Sequence, residues 1–142
     1  MSIKTVTHLN FQGQARAALD FYQSVFGGEL TAFTYAQAGR VTDAADAERI
    51  IWGQVEAPSG FCIMAFDVAQ DTPWQQGENA FYVSLRGDGE LEISMLWKAL
   101  ADGAIIVHDL APAQWSPLYG MLKDRFGVTW VVDVAIGGAH AG

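Results

Sequence analysis

Residues 9–26 read LNFQGQARAALDFYQSVF and residues 83–100 read VSLRGDGELEISMLWKAL, and the likeness of these two stretches decides the fold. At an offset of 74, Leu9 meets Val83, Phe11 meets Leu85, Gly13 meets Gly87 and Leu19 meets Ile93. Phe21, Tyr22 and Phe26 meet Met95, Leu96 and Leu100 in the same register, and Asn10, Gln12 and Gln14 meet Ser84, Arg86 and Asp88. Apolar residues alternate up to Phe11, as in a strand. Ala15, Ala18, Leu19, Tyr22, Val25 and Phe26 then follow the i, i+3, i+4, i+7 spacing of an amphipathic helix. Gly27 and Gly28 supply a left-handed stop. In the second stretch Ile93, Leu96, Trp97 and Leu100 give a helix its apolar face, and Gly103 closes it.

Working outward, a first strand is predicted over Ile3–Phe11, with Val6, His8 and Asn10 on one face and Thr7, Leu9 and Phe11 on the other. Further strands are predicted at Leu30–Tyr35, Ile50–Ala57 and Phe61–Val68, with a Pro58-Ser59-Gly60 turn between the last two. The polar segment Gly39–Glu48 reads as a loop with a short helical turn capped by Thr42 or Asp43. The second half predicts strands at Asn79–Arg86, Ala104–Leu110, Leu118–Lys123 and Val128–Ile136. Gly60 and Gly127 match at an offset of 67, so the first half carries extra residues, assigned to Gly39–Glu48. The expected class is α+β: two tandem βαβββ modules whose curved mixed sheets form around a cleft. One domain is expected over 1–142, with module one at about 1–74, module two at about 75–137 and a flexible tail at 138–142.

The composition suits such a domain and excludes others. The 142 residues are 51% hydrophobic and 17% charged, enough for a sizeable core and too apolar for a disordered chain. Sixteen acidic and eight scattered basic residues give a charge of −8, which argues against nucleic acid and anionic membrane surfaces as partners. There is no run of about 20 apolar residues for a membrane span, and Met1–Gln14 lacks a signal-peptide core. One cysteine, Cys62, reads as a buried inert thiol in a cytoplasmic protein.

Several motifs resemble one family. They are Ala18-Leu19-Asp20-Phe21-Tyr22 leading to Val25-Phe26-Gly27-Gly28-Glu29, then Ile63-Met64 with Asp67. The most specific is Trp115, Gly120, Asp124-Arg125-Phe126-Gly127 and Trp130, which resembles an FWG…G…DPFG…W pattern, with Arg125 in place of the proline. The chain resembles the PhnB-like branch of the vicinal oxygen chelate superfamily, which holds glyoxalase I, bleomycin-resistance proteins and extradiol dioxygenases. Members of this branch are sometimes labelled 3-demethylubiquinone methyltransferases, yet Gly87-Asp88-Gly89 is too short to be a dinucleotide-style cofactor turn.

The resemblance implies that metal-dependent relatives place ligands on the first and last strands of each module. Here His8 fills one such place, its repeat partner is read as Tyr82, and Met64 and Val131 stand where carboxylates are expected. Glu56, Asp67 and Asp133 do not have a spacing that demands a metal site. No metal and no cofactor are therefore expected. His8 and Glu56 are the catalytic candidates, His8 because an imidazole moves protons near neutral pH. Asn10, Trp52, Trp115 and Tyr119 are the ligand-binding candidates, since flat apolar walls with a few polar anchors suit a small molecule. Trp115 and Tyr119 are placed on a loop-rich rim between the last helix and the final hairpin, and His108 is read as a surface histidine. The expected function is metal-independent binding of a small molecule in the cleft, with catalysis open. The alternatives are a divalent-metal lyase or isomerase resembling glyoxalase I, and a bleomycin-resistance-like sequestering protein. A homodimer is expected, because a half-covered sheet leaves apolar area to bury.

Overall fold

Strand and helix alternate as the periodicity dictates. The computed structural model describes residues 2–136. Its order is β1 (Thr7–Phe11), α1 (Ala15–Phe26), β2 (Glu29–Thr34), β3 (Ile50–Glu56) and β4 (Cys62–Asp67). There follow β5 (Val83–Gly87), α2 (Glu90–Leu100), β6 (Ile105–Ala113), β7 (Ser116–Lys123) and β8 (Thr129–Val134). The chain divides into two compact units between Gln76 and Gly77. Each holds a four-stranded mixed sheet, ordered β1-β4-β3-β2 and β5-β8-β7-β6, with one parallel pair (β1 with β4, β5 with β8). This is the α+β, twice βαβββ architecture. Among the described residues no helix is long and apolar enough to cross a membrane. The tail expected at 138–142 lies outside the described residues.

In the first unit α1 lays Ala15, Ala18, Leu19 and Tyr22, all fully buried, on the sheet face that carries Phe11, Val55, Ile63 and Ala65. Each large side chain removed from water there contributes about 1.5–3 kcal/mol. The helix can approach β3 closely because residue 53 is glycine; a Cβ there would meet Leu19 and the Ala65 carbonyl. Asp67, 1% exposed, fixes the entry to the helix. Its carboxylate accepts from the N–H groups of Gly13 (2.7 Å), Ala15 (3.1 Å) and Ile50 (2.9 Å). A side chain from β4 thus satisfies donors that α1 would leave unpaired. In the second unit α2 buries Ile93 and Leu100 while Leu91 and Met95 stay exposed, and the sheet contributes Leu122, Trp130 and Val132. Asp124 organises its last turn, accepting from the N–H groups of Phe126 and Val128 and from Trp130 Nε1. Arg125 donates to the Asp102 carbonyl through Nε and Nη2, so a cross-turn clamp stands where the family has proline.

Several expectations need correction. The first strand starts at Thr7, not Ile3, because its partner β4 begins pairing at Ile63 and leaves Ile3 94% exposed. Asn79–Tyr82 lies outside any strand: Asn79 has φ 60° and β5 starts at Val83. The β6–β7 hairpin turns at Gln114–Trp115, so β7 begins at Ser116 rather than Leu118. Of the two caps offered for the 39–48 segment it is Asp43, whose carboxylate accepts from the Ala45 N–H. Cys62 is half-buried on the helix-free face, not sealed in the core.

The repeat register also shifts. Val68 N–H donates to the Phe11 carbonyl and Ala135 N–H to the Gly87 carbonyl, so Phe11 corresponds to Gly87, an offset of 76 in the strands. His8, paired with Met64, therefore corresponds to Ser84, paired with Val131, and not to Tyr82.

Candidate functional site

Each sheet has one face covered by its helix and one without a helix, and strand alternation sends every candidate residue to the second kind of face or its rim. In the first unit β1 presents His8 and Asn10, which alternate with the helix-facing Leu9 and Phe11. The His8 Nδ1–H donates to Asn10 Oδ1 at 2.9 Å, and the imidazole edge packs on Phe66 with centroids 5.1 Å apart. A neutral imidazole whose Nδ1–H donates has Nε2 as its acceptor. On β3, Trp52 and Glu56 are exposed and flank Gln54, while Gly53 and Val55 point to the helix. Trp52 packs against Phe33 of β2 at 6.1 Å.

The two catalytic candidates are not partners. β4 separates β1 from β3, and Glu56 accepts instead from Lys4 Nζ at 2.7 Å. That hydrogen bond raises the Lys4 ammonium above its ordinary value. His8 and Asn10 are brought together; Trp52 and Glu56 share a face with them without touching them.

In the second unit Trp115 and Tyr119 meet edge to face at 5.2 Å. Trp115 sits on the hairpin tip, and Tyr119 is inside β7, not on a loop. His108, read from sequence as a plain surface residue, packs on Tyr119 at 5.7 Å. Tyr119 pairs across the sheet with Asp133, and Asp133 with Arg86. Arg86 grips that carboxylate with both ends: Nε to Oδ1 at 3.0 Å and Nη2 to Oδ2 at 3.1 Å. The pair raises the Arg86 guanidinium above its ordinary value. Sequence reasoning missed Arg86 and His108. Their signal lies in cross-strand register, which a reading by offset 74 displaces.

The residues present do not fit a divalent ion of the superfamily type. The matched places on the first and last strands hold an imidazole (His8), a thioether (Met64), a hydroxyl (Ser84) and an isopropyl group (Val131). Zinc, nickel and manganese are held by several imidazoles, thiolates or carboxylates, and this set offers one such donor. Asp67 and Asp133 are committed to backbone N–H groups and to Arg86. Among the described residues no three His, Cys, Asp or Glu side chains gather as a metal group. A dinucleotide-style cofactor site fits no better. The β1–α1 turn already has its Gly13 and Ala15 N–H groups taken by Asp67, and neither sheet is doubly wound.

With this geometry in hand, comparison with known proteins gives a consistent answer. The family model described as 3-demethylubiquinone-9 3-methyltransferase matches residues 3–133. A search of curated proteins gave no match. Among solved structures, protein PA1353 from Pseudomonas aeruginosa is 32% identical with a TM-score of 0.81, the match covering 94% of this chain and 98% of that one. The PhnB protein from Bacillus cereus is 23% identical, TM-score 0.70, over 94% and 100% of the two chains. A glyoxalase/bleomycin resistance protein/dioxygenase family enzyme from Burkholderia phytofirmans PsJN shares the fold at 17% identity, TM-score 0.60, over 94% and 100%. A chain matched across nearly all of its sheets by one family model, and at 32% by a whole solved relative, belongs to the 3-demethylubiquinone-9 3-methyltransferase family and has the glyoxalase/bleomycin-resistance fold.

Proposed function

We propose that this protein binds a small, ring-bearing organic molecule on its helix-free sheet faces without a metal ion. The observation that carries the reading is the exchange of donors for apolar groups. Met64 and Val131 stand where ligating carboxylates are expected, and within the second unit Trp115, Tyr119 and His108 form a contiguous aromatic surface. Such a surface supplies apolar contact, and a few polar groups fix orientation. In the first unit those groups are His8 and Asn10, with Trp52 as the wall and Glu56 at its edge. In this reading His8 is the candidate for moving a proton, and its hydrogen bond to Asn10 supports that by orienting the ring.

A second copy of the chain is the proposed partner. Ile105, Ile106 and Val107 of the edge strand β6 are 66%, 40% and 58% exposed, which is apolar area that self-association would cover. The lone thiol suits the reducing cytoplasm.

Saturation-transfer NMR with a panel of aromatic and aliphatic fragments tests the proposal. Aromatic fragments are expected to receive saturation, and Trp115→Ala is expected to weaken them about tenfold while leaving the fold intact. An aliphatic-only hit list, or aromatic hits indifferent to both Trp115→Ala and Trp52→Ala, would overturn it.

A further inference from the structure

The second unit holds an arginine whose geometry the binding proposal leaves unused. Asp133 is a buried carboxylate on the helix-free face, 8% exposed in its side chain, whereas the Arg86 side chain that grips it is 66% exposed. A guanidinium has five N–H donors, and the pair uses two of them. Both Nη1–H groups and the second Nη2–H are left outside the pair, in a guanidinium plane that Asp133 fixes on a side chain 66% exposed. This costs little further ordering when a ligand arrives, because the arginine's rotamer freedom is already spent.

The register adds the rest. Arg86, Asp133 and Tyr119 form one row across β5, β8 and β7, so Arg86 and Tyr119 flank Asp133 about 10 Å apart at ordinary strand spacing. Trp115 and His108 stand against Tyr119. An aromatic surface and a clamped guanidinium edge at that separation match a planar molecule with rings at one end and a carboxylate at the other.

We propose that the ligand class of this site is the aromatic carboxylates, anchored by the outer N–H edge of Arg86 and stacked on Tyr119 and Trp115. This rests on the binding proposal above and adds the charge and the anchor. Asp133 acts here as a positioning residue. The chain's charge of −8 opposes anions at long range. Screening confines that opposition to about 8 Å at physiological salt, and within that distance the guanidinium dominates. Charge-assisted bidentate bonds are the strong ones and set orientation as well as affinity.

The test titrates the full chain with 2-naphthoate, its neutral analogue 2-naphthamide and 2-naphthylmethylamine, reading tryptophan fluorescence. Naphthoate is expected to bind at least about tenfold tighter than naphthamide. Arg86→Gln is expected to erase that preference and leave naphthamide unchanged. Asp133→Asn, which keeps the guanidinium and frees it, is expected to reduce the preference only partly. If Arg86→Gln does not fold, the double variant Arg86→Gln with Asp133→Asn, which leaves no buried charge, takes its place. Equal binding of acid and amide, unaffected by Arg86→Gln, overturns the anchor and leaves the aromatic site standing. Tightest binding of the amine overturns the anchor in favour of cations. No saturable binding of any of the three overturns both proposals.

Discussion

In the first unit the row near the end of β1 runs from Asn10 to Phe66, and the matching row of the second runs from Arg86 to Asp133. The same backbone ladder thus carries a neutral amide beside a ring in one copy and a clamped ion pair in the other. The helix-facing sides diverge as well. Asp67 ties α1 to β1 and β3, but its counterpart one step along β8 is Val134, and α2 starts at Gly89 with no side-chain cap. The second helix relies instead on Glu90 and Glu92 in its first turn and Lys98 in its last, which complement the helix dipole. One topology is therefore held by two different polar arrangements. The buried faces must satisfy backbone donors, whereas the open faces are free of that demand.

The largest test of this contrast is packing. Leu19→Ala, under α1, is expected to cost about 2–5 kcal/mol in urea denaturation, whereas Leu91→Ala on the exposed side of α2 should stay within about 0.5 kcal/mol. Equal losses would break the comparison.

Next comes the buried carboxylate. Asp67→Ala strips three N–H groups of their acceptor and is expected to cost about 3 kcal/mol or more, with faster amide exchange at Gly13, Ala15 and Ile50. Val134→Ala should cost less and leave the exchange at the start of α2 unchanged.

Tyr35, in the 35–49 connection that the short β6–β7 turn lacks, gives a pH test. Burial first, then the Asp46 carboxylate, pushes its hydroxyl above the ordinary value of 10.0. The unfolded chain therefore ionises first. The stability Tyr35 contributes is complete below that ordinary value and is lost as pH climbs through the raised folded one. Tyr35→Phe is expected to flatten this alkaline fall in the urea midpoint. An unchanged fall would assign it to other groups.

The smallest effect is expected at Arg125. Its clamp on Asp102 is largely exposed, so Arg125→Ala should cost about 1 kcal/mol or less by thermal melt. A larger loss would make the β7–β8 turn a structural centre of the second unit.

Both helices were legible because the 3.6-residue period of Ala15 to Phe26 and of Ile93 to Leu100 has few competing readings. The strand register was not. A slip of two residues in a strand preserves which side chains face the helix, so Leu9 matches Val83 by pattern as well as Thr7 does by structure. Only the backbone bonds from Val68 and Ala135 separate the two readings. That slip changed the partner of His8 from Tyr82 to Ser84 and displaced Arg86 from the row it shares with Asp133 and Tyr119. The face shared by His8 and Asn10, and by Trp52 and Glu56, followed from alternation alone. The grip of Arg86 on Asp133 spans 47 residues of sequence and leaves no periodic trace. Lys4 was likewise invisible as the partner of Glu56, because the predicted strand from Ile3 absorbed it.

Native mass spectrometry of the purified protein, after exposure to Ni²⁺, Zn²⁺ and Mn²⁺ and buffer exchange, tests the central claim of metal-free binding most directly. Less than one equivalent of metal per chain is expected, together with an adduct of a small organic molecule that Trp115→Ala diminishes. One stoichiometric ion per chain, lost in His8→Ala, would contradict it.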